Sequence, residues 1–327
     1  MKFYSISILI LLFVTSINGL LGDEPAPKNS KNYPRKDQSG SEKSDTTNKT
    51  GEEKSKEKKD DTDKPLKIGN LALPSSQQPG PLVGFGQNVI DKDVVQLFLF
   101  ADHYQRRNGH FTDIVPSVLW GVNDQFSIFF NAPFAPTYKE RKNHTSGFED
   151  AFVQFEYAFY NYEKRFYADQ ATIVFNVTYP TGSTRSQPPR GFGVPSCFIG
   201  ATYNHTGIDW FYFGSIGSIL TSATKHCTKI GSTLLYEFGF GRNIPSPKGW
   251  IYAWMIEFDG DFSYRNKIRG VIDPNSGGNL IFVTPSLWIS NEKFILQLGV
   301  GGPMYQHLYG NQIPYLYQVI LNIGYTF

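Results

Sequence analysis

From Val94 to its end the chain is built of twelve segments of about 9–14 residues in which apolar and polar side chains alternate, cleanly or in part. They are Val94–Tyr104, Asp113–Gly121, Gln125–Phe134, Glu149–Tyr160, Ala171–Tyr179, Cys197–Thr206, Trp210–Thr221, Gly231–Gly241, Ile251–Tyr264, Asn279–Ser290, Phe294–Tyr305 and Tyr315–Phe327. A strand shows successive side chains to opposite faces, so each segment reads as a strand with one apolar and one polar face. Such lengths exceed the roughly five or six residues usual in soluble sheets and suit a tilted strand crossing a bilayer.

The connections sharpen this. "VND", "GID" and "NEK" are tight turns, joined in the same set by "NYEKRFYADQ" and "RNIPSPKGW". Between them come "QRRNGHF", "APTYKERKNHTSGF", "PTGSTRSQPPRGFGVPS", "SATKHCTKI", "RNKIRGVIDPNSGG" and "QHLYGNQIP", nearly all longer. Short turns at one end and long loops at the other are the plan of an outer-membrane barrel. A soluble sandwich has no reason to sort its loops in this way. The expected fold is all-β: a transmembrane antiparallel β-barrel of about 12 strands over residues 94–327. It would sit in the bacterial outer membrane of a Gram-negative cell, and an even strand count puts both termini in the periplasm.

The last segment ends on Phe327 with no polar tail. Left open, that apolar edge would invite aggregation; pairing with the first strand would remove it. A terminal aromatic behind alternating apolar residues is similar to the signal read by the barrel assembly machinery. Tyr325 and Phe327 are therefore the expected assembly signal, and that machinery an expected partner.

Ahead of the barrel the composition changes three times. Residues 1–22 carry one Lys, an apolar run and small residues, the layout of a signal peptide. Residues 23–67 are dense in charges of both signs with almost no apolar side chains, and read as a disordered charged linker. Residues 68–93 mix Pro, Gly and apolar residues and are expected as an irregular periplasmic lead-in lying on the barrel rim, with insertion into the mouth as the alternative. The near-neutral net charge of +2 argues against nucleic acid as a partner.

Parity assigns the interior. Tyr252, Trp254, Ile256 and Phe258 share one face, and Glu257, Asp259 and Asp261 the other. A carboxylate facing hydrocarbon is costly, so the acids should line the lumen. The same reading adds Glu237, Asp150 and Glu156, an acidic wall that would favour cations or simply hydrate the interior. Basic residues gather in the long loops, where they would meet lipopolysaccharide alongside the outer-membrane lipid. Cys197 and Cys227 fall at the same end of the barrel and are a candidate disulfide. Neither metal nor cofactor is expected; His226 beside Cys227 lacks spaced partners. "NHTSG" at 143–147 is similar to the His-x-Ser stretch of outer-membrane phospholipase A. Ala158 stands where that family needs an Asn to orient the His, so the stretch reads as a loop and the chain as no enzyme.

"PSVLWGVNDQFSIFF", "SGFEDAFVQFEYAF" and "VFNVTYPTGS" together resemble the outer-membrane family known as "MetA-pathway of phenol degradation". The resemblance spans most of residues 94–327. Glu149-Asp150 and Tyr179-Pro180-Thr181-Gly182 depart from the Gly-Asp and Leu-Pro-Thr-Gly of typical relatives. It implies an outer-membrane barrel linked to uptake of aromatic compounds. The expected function is a passive channel for a small solute, aromatic or cationic. The alternatives are a structural or surface-interaction barrel with a blocked lumen and, more remotely, a lipolytic enzyme.

Overall fold

The computed structural model describes residues 65–86, 89–223 and 228–327. The signal peptide, nearly all of the charged linker and Cys227 lie outside the described residues.

Twelve strands form one closed antiparallel sheet. They are β1 (Val95–Arg106), β2 (Gly109–Asn123), β3 (Phe126–Asn131 continued by Phe134–Glu140), β4 (Asn143–Phe148 continued by Phe152–Glu163), β5 (Tyr167–Thr178), β6 (Ser196–Gly207), β7 (Trp210–Thr221), β8 (Thr233–Ile244), β9 (Trp250–Ser263), β10 (Gly278–Asn291), β11 (Phe294–Leu308) and β12 (Tyr315–Thr326). Each pairs with its neighbours in sequence, and β1 also pairs with β12, with Gln96 opposite Thr326 and Tyr104 opposite Gln318. That seam leaves no open edge, which backbone groups in a hydrocarbon layer require. All twelve expected strands are present.

Two strands are broken at the same height. Pro133 has no N–H to give to a ladder, and β3 lapses between Asn131 and Phe134. β4 lapses opposite, between Phe148 and Phe152, where Glu149 N–H bonds Pro133 O at 3.0 Å. Above the break the wall continues as a hairpin, Phe134–Glu140 against Asn143–Phe148, itself paired to the start of β2. This corrects the expectation of two long loops: only Arg107-Asn108 and Arg141-Lys142 remain as turns, and "NHTSG" is strand. Arg141 takes φ +56°, the left-handed conformation that a two-residue hairpin turn demands. Polar hairpins of this kind lack the apolar alternation by which the other strands are recognised. A small three-stranded sheet (Thr228–Lys229, Lys267–Ile268, Val271–Ile272) joins two of the remaining long loops.

The two faces of the wall differ as the alternation requires. Ile173, Phe175, Ile199, Ile216, Leu287, Leu298 and Val300 are exposed on the outside. Thr172, Thr202, Ser215, Glu237, Gln297, Gln318 and Asn322 are buried on the inside. So continuous an exposed apolar band is unsuited to water and matches the lipid face of a barrel.

Residues 65–86 and 89–94 are irregular, with two single turns of 3-10 helix at Gly69–Leu71 and Ser75–Gln77. They do not lie on the rim. They run up inside the barrel and return to its short-turn end before entering β1.

Candidate functional site: the lumen and the segment within it

A chain without secondary structure, placed inside a barrel, must find partners for its own N–H and C=O groups. Pro74, Pro79 and Pro81 already forbid this segment a ladder. The wall supplies those partners from its inward polar side chains, strand by strand.

At the short-turn end Leu66 N–H bonds Arg165 O (2.9 Å) and Asn70 N–H bonds Ile208 O (2.8 Å). Asn70, fully buried, also donates to Gly207 O through Nδ2 at 3.2 Å. Higher up, the Ser290 hydroxyl donates to Gln77 O (2.7 Å), Gln96 Nε2 to Ser76 O (3.2 Å) and Gln297 Nε2 to Gly80 O (2.9 Å). Near mid-height Glu257 Oε1 accepts from Leu82 N–H (2.7 Å) and Val83 N–H (3.3 Å). The descending arm is held by Ile90 N–H on the Ser127 hydroxyl (3.1 Å) and by Asp93 N–H on Gly121 O (2.8 Å). Leu73 and Leu82 add apolar contact, packing with Phe211, Phe213, Ile251, Met255, Trp288 and Ile295 in a buried cluster. Burial of a Leu of this kind contributes about 1.5–3 kcal/mol.

Glycine is needed where the segment presses closest. A Cβ on Gly84 would stand 1.7 Å from Glu237 Oε2. Gly86, at φ +86°, would bring one to 2.5 Å from Thr202 Cγ2.

The segment fills only part of the interior. Between it and the wall, chiefly β1 to β6 with one or two residues each from β7, β8, β10, β11 and β12, lies a cavity of about 450 Å³. Gly80 to Gly86 form one side, and Phe98, Phe100, Val115, Leu119, Phe129, Phe152 and Phe198 form most of the other. Phe98, Phe100 and Phe129 contact one another edge-on or stacked, and Phe198 meets Phe85 edge-on at 4.4 Å between centroids. Polar groups on its border include Asp102, Asp113, Asn131, Gln154 and Asn176. An apolar hollow with a few polar groups, of this volume, has the make-up of a small-molecule site.

The long loop between β5 and β6 bends inward over this cavity. Asp150, buried, accepts from Gly182 N–H (2.8 Å) and Phe192 N–H (2.7 Å), and Phe192 reaches the cavity border.

The six acids singled out by parity all face the inner side of the wall. Asp150, Glu156, Glu237 and Glu257 are buried, and Asp259 and Asp261 half-buried. None borders the cavity. Asp150 pins a loop, Glu156 accepts from Gln154 Nε2 (2.6 Å), and Asp261 accepts from the Ser263 hydroxyl (2.7 Å). Glu237, Glu257 and Asp259 come together, one carboxylate oxygen of each within 4.8 Å of those of the other two. The acids that do border the cavity, Asp102 and Asp113, face each other across β1 and β2. Sequence reading missed them because both strands alternate poorly; Asp113 facing Asp102 in adjacent segments was the available signal.

Tyr325 and Phe327 lie at the end of β12, exposed, with rings 5.1 Å apart. Phe327 N–H bonds Val95 O at 3.0 Å. Cys197 carries a free thiol at the start of β6; its suggested partner Cys227 lies outside the described residues.

No protein-family model and no curated protein matches the chain. Among solved structures it is similar to an outer membrane channel from Pseudomonas putida F1, at 14% identity and a TM-score of 0.59, over 76% of this chain and 99% of that one. It is more distantly similar to the NanC porin (9% identity, TM-score 0.43, 70% of this chain and 98% of that one) and to the beta domain of a Bordetella autotransporter (11%, 0.43, 72% and 100%). The first likeness shows that the fold is that of an outer-membrane barrel.

Proposed function

We propose that the chain is an outer-membrane channel for a small, largely apolar solute, closed by its own segment at residues 65–94. The observation that carries this is the cavity of about 450 Å³ left between that segment and an aromatic wall. A barrel serving only as a surface scaffold gains nothing from a hollow of Phe98, Phe100, Phe129, Phe152 and Phe198, whose rings would bury better against side chains than around empty space. The lining, aromatic and apolar over most of its area with Asp102 and Asp113 at its border, favours an aromatic over a cationic solute; Glu237, Glu257 and Asp259 do not border it. This agrees with the resemblance to the family linked to phenol degradation, to which we assign the chain on the motifs quoted above. With the short turns in the periplasm, both arms of the segment start there, and the basic long loops face lipopolysaccharide.

The segment is held by hydrogen bonds rather than by strand pairing, so it can leave without opening the barrel. Purified full-length chain in planar bilayers should give small, intermittent conductance, and a variant lacking residues 65–90 a larger and steadier one. Both proteins should be checked as folded by the heat-dependent gel shift of intact barrels. Conductance at background in both would overturn the channel and favour the surface-interaction barrel with a blocked lumen.

A further inference from the structure

We propose that Glu237, Glu257 and Asp259 form a Ca²⁺ site at the seam between the barrel wall and the internal segment. Glu237 on β8 stands directly opposite Asp259 on β9, and Glu257 follows two residues away on the same face of β9. One carboxylate oxygen of each lies within 4.8 Å of those of the other two. Glu257 Oε1 is taken by Leu82 and Val83 N–H. The other five carboxylate oxygens, both of Glu237, Oε2 of Glu257 and both of Asp259, are shielded from solvent and have no hydrogen-bond partner.

A second observation points the same way. The Ser215 hydroxyl, on β7 directly opposite Glu237 and more than nine-tenths buried, also has no partner. Polar atoms sealed from water are almost always bonded, and six unsatisfied oxygens converging on one place call for a shared partner. Among the described residues no ion pair joins Lys or Arg to these acids; Lys92–Asp93 and His205–Asp169 lie elsewhere. Uncompensated carboxylates in a dry interior are costly, and a bound cation removes that cost directly.

The donor set selects the ion. Carboxylates and a hydroxyl, without imidazole or thiolate, suit a hard divalent cation. Ca²⁺ accepts a flexible shell of protein oxygens, whereas Mg²⁺ dehydrates reluctantly and keeps several waters, which a site sealed from solvent does not offer. Gly84 closes the site from the segment's side, since its Cα lies so near Glu237 that a Cβ would meet Oε2 at 1.7 Å. Because Glu257 reaches the ion with one oxygen and the segment with the other, the site ties segment and wall together.

The test is Ca²⁺ titration of the full-length folded barrel, stripped with EGTA, by isothermal calorimetry. Saturable uptake of about one ion per chain is expected, with Mg²⁺ at tenfold excess failing to displace it. Changes merely behind a ligand already cost about 10–100-fold in affinity, so Glu237→Gln and Asp259→Asn should each weaken binding at least about tenfold. The exposed Asp93→Asn should leave it unchanged. Each variant is first checked for the heat-dependent gel shift, and Tb³⁺ luminescence on the same samples gives an independent count. No saturable uptake by the parent chain, or uptake that survives both variants, would overturn the site. Equal displacement by Mg²⁺ would overturn its assignment to Ca²⁺.

Discussion

Glu257→Met should release the tip of the internal segment while leaving the barrel intact. The side chain is buried on the inner face of β9, and Met fills nearly the same volume without offering an acceptor. Two segment amides then lose their partner: Leu82 N–H, bonded at 2.7 Å, and Val83 N–H, at a weaker 3.3 Å. A buried donor left unsatisfied costs about 1–3 kcal/mol, and a bond to a carboxylate is at the upper end. With the longer bond counted as a fraction, tip docking weakens by about 2–4 kcal/mol, or about 30- to 700-fold in the open population. Global stability is the wrong readout, because the substitution also changes the balance of charge in the cluster that Glu257 forms with Glu237 and Asp259. The right one is hydrogen exchange at Leu82 and Val83, which reports local opening directly. Their protection should fall by that factor while β9 and β10 amides keep theirs, and Glu257→Gln, which retains one acceptor, should recover much of it. Protection unchanged within about threefold in the Met variant would refute the view that this carboxylate anchors the segment.

Other consequences are as direct. Gly217→Val puts a Cβ 2.3 Å from Phe198 Cζ and 2.9 Å from Ile199 O; overpacking should cost about 1–3 kcal/mol in guanidinium unfolding, and a neutral result would place the Phe198 ring elsewhere. Asp150→Ala frees the amides of Gly182 and Phe192, so trypsin should cut at Arg185 or Arg190 at least about tenfold faster, given about 1.5–3 kcal/mol for each bond to a charged group. An unchanged cutting rate would mean that other contacts hold the loop. Deleting Phe327 removes its bond to Val95 O and its ring contact with Tyr325, and the folded fraction in membranes should drop; normal assembly would count against an assembly signal at this terminus.

The strands were legible because a barrel wall between lipid and lumen imposes a period of two over its whole length. From Trp250 to Phe258 the odd-numbered residues are buried and the even-numbered ones are not, and in the letters Glu257, Asp259 and Asp261 mark the inward parity. Legibility fails where one of the two environments is missing. The hairpin Phe134–Phe148 rises beyond the apolar band with polar residues on both faces, so nothing in its composition separated it from a loop. Asp102 and Asp113 sit where β1 and β2 face the cavity, and their neighbours Phe98, Phe100 and Val115 point inward as well. An apolar inner face erases the alternation that would have marked the acids.

The internal segment shows the deeper limit. Its own letters, rich in Pro, Gly and Gln, predict irregular chain and nothing about where that chain lies. Its position is written in the wall. Gln96, Ser127, Glu257, Ser290 and Gln297 are inward by parity, and parity alone reads them as wetted. Each is instead bonded to a main-chain group between Ser76 and Ile90. A water-filled pore has no use for glutamines that are fully buried and committed to backbone carbonyls, as Gln96 and Gln297 are. Inward side chains of defined donor or acceptor capacity, spread over β1, β3, β9, β10 and β11, are what an enclosed peptide demands of its container. For a barrel of this kind the polar face therefore holds two messages. The period says that a lumen exists, and the choice of Gln, Ser and Glu over Lys and Arg says that backbone occupies it.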